Sequence, residues 1–249
     1  MKNILVISDN VELVKYIKLE AAKEDVGLIA TFDYVYSAVN KTPKELMLIG
    51  MASVDLKNND MCLEIVDNYD LVLSLHCKQI FPDELVENIA CINFHPGMNP
   101  YNRGWYPQVF SLINKFPVGV TIHLMDSFID HGQIIAQEHL ASHPLDTSLS
   151  LYEKVIGLEK QLISKHLIPI IEESYDVVDA ASEGNYNSIN DFKELCALKL
   201  DSVGTLREHV DLLRALTHGN FKNAYYYENG IKIFIRVTLE EEQKLSNVT

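Results

Sequence analysis

Short uninterrupted apolar blocks alternate along this chain with stretches whose apolar residues recur at helical spacing. The block at residues 3–8 ends in Ser8-Asp9-Asn10 and reads as a strand running into a helix cap. From Val11 to Lys23 the positions Leu13, Ile17 and Ala21, with Val14 alongside, fall on one helical side. Leu28 to Tyr36, rich in β-branched and aromatic residues, predicts a second strand. Leu46 to Met51 predicts a short strand, and Asn58-Asn59-Asp60 offers a cap for a helix running through Val66. Asp70-Leu71-Val72-Leu73-Ser74-Leu75 is almost continuously apolar, as expected of a strand buried on both faces of a parallel sheet. A helix should start near Pro82-Asp83-Glu84, where Pro suits the first turn and the acids face the positive helix end. A strand from Ile89 to Phe94 follows.

Past a Pro/Gly turn, a helix through Phe110 and Ile113 leads to an apolar strand that starts at Gly119. Gln133 to His139 reads as the next strand. Ser148 to Glu173 is a long helix with Leu149, Tyr152, Val155, Ile156, Leu162 and Ile163 on one side. Ser174 to Ile189, of mixed polarity and containing Gly184, reads as a linker. Beyond it lie a helix from Thr205 to Thr217 and two apolar runs, Ala224–Tyr227 and Ile231–Ile235. These flank Glu228-Asn229-Gly230, a strong hairpin signal. The pattern predicts an α/β fold with a mostly parallel sheet. It divides into a main domain at residues 1–180 and a small C-terminal subdomain, helix plus β-hairpin, at 181–249.

Composition narrows the function. Apolar residues make up 47% of 249 positions, enough for a sizeable core. No apolar run approaches membrane-spanning length, and the N-terminus lacks the cleavage site of a signal peptide, so a cytoplasmic protein without membrane contact is expected. A formal charge of −14 argues against a nucleic-acid partner, which needs a basic face. Cys62, Cys77, Cys91 and Cys196 show no close metal spacing, and no disulfide is expected. Between Met1 and Met51 the only glycines are Gly27 and Gly50, so no glycine-rich dinucleotide turn follows the first strand.

Candidate chemistry concentrates in two stretches, Cys91–Gly97 and Gly119–Gly132. Asn93 and His95 are two apart, so on a strand they share a face. Asp130 lies in a loop placed where strands end. An amide that donates to an oxyanion, an imidazole that alternates as acid and base, and a carboxylate that orients it suit acyl transfer. Parallel strands ending on one side of a sheet would bring the three together. Each also has an ordinary reading: a turn histidine, an asparagine serving loop backbone, a capping aspartate. His95, His123 and Asp130, with His131, could be imagined as metal ligands, but no second histidine stands at ligand spacing and no metal is expected.

The residues Asn93-Phe94-His95-Pro96, then Gly119-Val120-Thr121-Ile122-His123-Leu124-Met125-Asp126 and Asp130-His131-Gly132, resemble the folate-dependent formyltransferase family. The resemblance implies a Rossmann-like sheet, 10-formyltetrahydrofolate as donor and an amine as acceptor. It places the catalytic triad on Asn93, His95 and Asp130. Asn93 and protonated His95 would stabilise the oxyanion formed when the amine attacks the formyl carbon, and Asp130 would support His95. The pterin would lie between Asp126–Asp130 and the loop Lys78–Phe81, which contains Ile80.

The stretches His76–Pro82 and Asn102–Gln108 resemble, within that family, the nucleotide-sugar N-formyltransferases. These act on the 3- or 4-amino group of a dTDP-linked dideoxyhexose for surface polysaccharide, such as the O-antigen of lipopolysaccharide. Under this resemblance Arg103 is the natural pyrophosphate cation. Trp105 and Tyr106 form an aromatic wall, and Lys78, Lys222, Asn223 and Tyr225 contact the nucleotide. Trp105 could instead be core. The Tyr225–Tyr227 run could instead pack against a partner, making the chain a homodimer through its hairpin. Relatives with other acceptors fit less well. A methionyl-tRNA enzyme should have a basic C-terminal domain, whereas residues 181–249 hold eight Lys+Arg against ten Asp+Glu, net −2. A glycinamide ribonucleotide enzyme would end near the long helix. A non-catalytic binding protein of the same fold is the alternative from another class.

Overall fold

The first strand, β1 (Lys2–Ser8), alternates its apolar side chains between two helical layers, and this decides where the other elements go. In the computed structural model, which describes residues 1–242, β2 (Ala30–Ser37) and β3 (Ala52–Val54) extend the sheet on one side of β1. On the other side lie β4 (Leu71–Leu75), β5 (Cys91–His95), β7 (Val118–Leu124) and β8 (Ile134–Leu140), with the two-residue β6 (Arg103–Gly104) outside the sheet. The strand order is β3-β2-β1-β4-β5-β7-β8. The first five are mutually parallel, while β7 runs antiparallel to both β5 and β8.

Helices connect the parallel strands: α1 (Val11–Ala21), α2 (Glu24–Gly27), α3 (Lys44–Leu48), α4 (Asn59–Asn68) and α5 (Asp83–Val86). Asn10 caps α1 as its position suggested, its side chain accepting from the N–H groups of Glu12 and Leu13. Next come α6 (Pro107–Asn114) and the long α7 (Ser148–Ile171). One face of the sheet, with Ile4, Val6, Leu73, Leu75, Ile92 and Phe94, packs under α7 residues such as Leu151, Val155 and Leu162. The opposite face, with Leu5, Ile7, Val72 and Cys91, is covered by Cys62 and Ile65 of α4 and Leu85 of α5.

Two expectations change. Leu46–Met51 is not a strand: α3 occupies 44–48 and the strand comes later, at Ala52–Val54. Only Leu46 of α3 is buried, while Met47 and Leu48 face solvent, so the apolar run serves one helical contact against Val14 and Tyr36 rather than a two-faced strand. Residues 174–189 are also more than a connector. They bridge Val178 to Ile134 and form β9 (Tyr186–Asn187), which pairs with β6.

Beyond this lie α8 (Ile189–Cys196), α9 (Leu206–Leu216) and the hairpin of β10 (Tyr225–Glu228) and β11 (Ile231–Phe234). Its turn has Asn229 and Gly230 at positive φ, as the Asn-Gly signal required. α9 packs on α6 and α7 and is tied to them by the Lys115–Asp211 pair and by Arg214, which donates to the Asp146 carbonyl at 2.9 Å. All four cysteines are free thiols. Among the described residues no helix is long and apolar enough to cross a membrane.

Leu73 is fully buried at the centre of this sheet. Leu73→Ala is expected to cost about 2–5 kcal/mol in urea-induced unfolding. Leu19→Ala, on the exposed side of α1, should cost no more than about 0.5 kcal/mol.

Candidate active site

At the carboxyl ends of β4 and β5 the chain leaves a cavity of about 610 Å³. This is the edge where ligands bind in open α/β sheets, because the loops diverge there and backbone groups are free. β5 projects Asn93 and His95 into the cavity from the face that also carries Cys91, so the two-residue spacing acts as the sequence suggested.

Asp130 arrives differently from the sequence argument. β7 is antiparallel to β5, with Thr121 opposite His95 and His123 opposite Asn93, so it ends far from the cavity edge. The following loop turns back over the sheet. Leu124 N–H donates to the Gln133 carbonyl and Met125 N–H to the Cys91 carbonyl, each at 2.8 Å, which closes the loop at its base. Asp130 is then held in the left-handed region (φ 48), its carbonyl accepting from Asn99 Nδ2 at 2.8 Å.

The Asp130 carboxylate is the hub. Oδ1 accepts from Asn93 Nδ2 at 3.0 Å and Oδ2 from the Gly104 backbone N–H at 2.9 Å. His95 Nδ1 stands 3.5 Å from Oδ2 and His123 Nε2 3.6 Å from Oδ1. Gly104 has φ +89, and a Cβ there would strike Tyr186 and the Asn187 carbonyl, so a side chain would push its N–H off the carboxylate. His123 donates Nδ1–H to the Leu124 carbonyl at 2.7 Å, which fixes the ring with Nε2 toward Asp130 and Asn93.

Burial lowers the His95 imidazole to about 4, against the pull of Asp130 and helped by His123, His76 and Arg103. Its Nε2 is buried without a hydrogen-bond partner and points toward Gly97, where a Cβ would collide with it. Burial alone would raise the Asp130 carboxyl. The neighbouring His95 and His123 and the Gly104 N–H outweigh it and hold the group well below the usual carboxylate range. The Asn93 and Gly104 donors stay on Asp130 whatever the charge on His95. A histidine already protonated in the free site is disfavoured by the same burial. The arrangement offers a neutral imidazole lone pair, an amide donor beside it and a fixed anion behind both, which suits acyl transfer to an amine.

Lys78, Ile80, Phe81 and Asp126 line the cavity, as do Trp105, Tyr106 and Asn223. Arg103, Lys222 and Tyr225 do not. Arg103 is buried, with Nη2 donating to Glu183 at 2.8 Å and Nη1 reaching the Ile129 carbonyl at 3.4 Å. Its charge is engaged in holding the loop before Asp130, which removes the reason to assign it to a pyrophosphate. Lys222 lies over the Phe234 ring at 5.4 Å, and Tyr225 packs within the hairpin under Lys232 at 3.5 Å. Trp105 is a half-buried wall residue, and Tyr106 packs on Phe192 with ring centroids 4.3 Å apart.

Sequence reasoning missed two parts of the cavity. One is His123 with the Gly104 N–H, which only strand register and the β6 turn bring to Asp130. The other lies on the α7 side of the sheet edge. His76 Nε2 is 2.8 Å from Glu159 Oε1, and Asn10 Nδ2 donates to the Tyr152 hydroxyl at 2.9 Å. Asn10 looked only like a helix cap, and Tyr152 like a member of an apolar stripe.

The chain matches the family described as Formyl transferase over residues 2–167, and the N-formyltransferase dimerization C-terminal domain over 191–241. It is 42% identical over 242 residues to the dTDP-4-amino-4,6-dideoxyglucose formyltransferase of Mycobacterium tuberculosis, covering 96% of this chain and 97% of that one. Among solved structures, a sugar N-formyltransferase from a Shewanella species superposes with a TM-score of 0.94 at 49% identity, over 98% of this chain and 100% of the other. A 4-N formyltransferase from Francisella tularensis superposes with a TM-score of 0.89 at 42% identity, over 97% and 99%.

The buried neutral His95 has a measurable consequence. The unfolded residue takes a proton near pH 6.5 and the folded one only near 4, so stability falls as pH drops between those values. His95→Gln should flatten this slope by a share of order 3 kcal/mol, read from chemical denaturation at a series of pH values. His166 and His218, also lowered by burial, contribute equally to both proteins. Identical slopes would count against a neutral His95.

Proposed function

This chain belongs to the formyl transferase family, and we propose that its acceptor is a dTDP-linked 4-amino-4,6-dideoxyhexose. The protein is an N-formyltransferase that moves a formyl group from 10-formyltetrahydrofolate to the amino group of a dTDP-amino sugar. The observation that carries the mechanism is the Asp130-centred cluster at the sheet edge, with His95, its Nε2 unpartnered, in the cavity wall.

The folate supplies a formyl carbon already bonded to nitrogen, and so activated for transfer to a second nitrogen. One Asn93 amide hydrogen is held by Asp130, and the other donates to the formyl oxygen as it gains negative charge. His95 Nε2 takes the proton released as the amine bonds to carbon and returns it to the departing nitrogen. The imidazolium thus exists only while the oxyanion is beside it. Asp130 steadies that cation and keeps Nδ1 as the donor. Buried donors already in position need little reorganisation, which is where such sites gain most.

The loops Lys78–Phe81 and Asp126–Asp130 hold the pterin, with exposed Ile80 and Phe128 at the lip. The nucleotide runs along Trp105, Tyr106 and Asn223. Among the described residues Lys78 is the single Lys or Arg in the cavity wall, and it takes the place first given to Arg103 as the diphosphate cation. Its backbone N–H is fixed on Asp9 at 2.7 Å and its Nζ lies 3.4 Å from Asn40 Oδ1. Both substrates are soluble anions, which this reading places in the cytoplasm, and the formamido sugar is destined for surface polysaccharide such as O-antigen.

The test is a panel of dTDP-linked 3- and 4-amino dideoxyhexoses assayed with the folate donor. Transfer to a 4-amino sugar is expected, with kcat/KM lowered by about 10²-fold or more in His95→Asn and in Asp130→Ala. Absence of transfer to every amino sugar would overturn the assignment.

The exposed Tyr227, Ile231 and Phe234 of the hairpin form the contact of a homodimer, a reading supported by the description of the domain that matches residues 191–241. Sedimentation should give twice the chain mass for the wild type and the single mass for Ile231→Asp combined with Phe234→Asp. A monomeric wild type would exclude the dimer.

A further inference from the structure

The mechanism leaves one buried charge unexplained. Glu159, in the middle of α7, is fully buried among Val155, Leu158, Leu162 and Ile163. Its Oε1 meets only His76 Nε2, and Oε2 has no partner at all. A carboxylate in such a place costs several kcal/mol, which an apolar residue would spare. Burial pushes its pKa up, with His76 pulling the other way. Groups retained at such a cost beside a cavity are candidates for function.

The surrounding geometry says what the group does. Asn10 Oδ1 is committed to the α1 cap, at 3.0 and 3.1 Å from the N–H groups of Glu12 and Leu13, so its Nδ2 hydrogens are turned toward Tyr152 and His76. One goes to the Tyr152 hydroxyl at 2.9 Å, and Nδ2 stands 3.4 Å from His76 Nδ1. A second hydrogen on Nδ1 would oppose that amide. The His76 proton therefore sits on Nε2, toward Glu159, and Nδ1 keeps its lone pair. The Tyr152 oxygen already receives a hydrogen from Asn10, so its own hydrogen has only the long contact to His76 Nδ1, which a ligand oxygen can replace. His76 Nδ1 and the Tyr152 oxygen lie 3.5 Å apart and both groups line the cavity.

Both contacts to Nδ1, from Asn10 at 3.4 Å and from Tyr152 at 3.5 Å, are long, so a ligand that displaces them finds one acceptor and one donor. A hydroxyl group, which donates once and accepts, matches that pair. A phosphate oxygen does not, because without a hydrogen it has nothing to donate to the Nδ1 lone pair. β4 and β5 pair Leu75 with Phe94, so His76 is one position past that pair and beside His95. The hydroxyl read here thus lies next to the reacting amine.

We propose that Tyr152 and His76 recognise a ring hydroxyl adjacent to the amine of the acceptor sugar, and that Glu159 is a positioning residue that fixes the His76 tautomer. This rests on the acceptor being a nucleotide-linked amino sugar. The cluster then sets sugar specificity from the α7 side of the sheet edge, while Asn93 and His95 work from the other.

The experiment compares dTDP-4-amino-4,6-dideoxyglucose with its 3-deoxy analogue as acceptors for the wild type, Tyr152→Phe and Glu159→Gln. Tyr152→Phe should raise the acceptor KM about tenfold for the hydroxylated sugar and leave it unchanged for the deoxy sugar. The KM for the folate donor should be constant. Glu159→Gln should show the same selective rise with kcat retained, a split that a merely structural role would not produce. Tyr152→Phe keeps the ring and carries the test if Glu159→Gln does not fold. Equal losses on both acceptors, an unchanged KM on both, or equally weakened inhibition by dTDP alone would overturn the proposal. A wild type that formylates neither sugar sinks the acceptor assignment and this proposal with it, an outcome distinct from those three.

Discussion

A carboxylate held by N–H donors inside a sheet edge is the constraint on which this molecule depends. Asp130 has little exposure to water, and its charge survives because His95, His123 and the Gly104 N–H favour the ionised form, with Asn93 donating beside them. Remove those neighbours and burial would push its pKa up. With the charge go the orientation of His95 and the stability of the imidazolium. The loop 125–133, the β6 turn and the register of β5 against β7 all make sense as ways of keeping that anion charged.

The sheet divides the labour. Residues of β5 and the loop after β7 approach from the face covered by α4 and α5, whereas His76 and Tyr152 approach from the face covered by α1 and α7. One cavity wraps around the edge and joins them. Donor and acceptor can then be held on separate surfaces and meet only where the strands end. Separate walls let the acceptor side change without disturbing the donor side, which fits a fold that carries several acceptors.

Much of this was legible in the sequence. Strand and helix alternation is a periodicity signal, and the Asn93–His95 pair follows from the two-residue repeat of a strand. The hairpin announced itself through Asn229-Gly230. What stayed hidden depends on contacts across long sequence distances. Arg103 reads as a pyrophosphate cation through the family resemblance, as a forked and always charged group. Its partner Glu183 is 80 positions away, and no local rule pairs them. His123 became relevant only when β7 proved antiparallel. Leu46–Met51 is a run too short for periodicity to separate a helix from a strand. Glu159 sits seven residues after Tyr152, on the same helical stripe, and nothing local distinguishes it from a surface glutamate.

The pairing of β6 with β9 bears on how the protein is made. Gly104, which fastens Asp130, is itself backed by Tyr186 and Asn187, from the segment that follows the long helix. A ribosome delivers Asn93, His95 and Asp130 well before that segment. Domains fold as units in the order in which they emerge, so the sheet can form around an unfinished cavity whose anion lacks its last brace. Maturation of the site then waits on the second half of the chain. A protein that looks divisible after α7 is, in the order of its synthesis, a single piece of work.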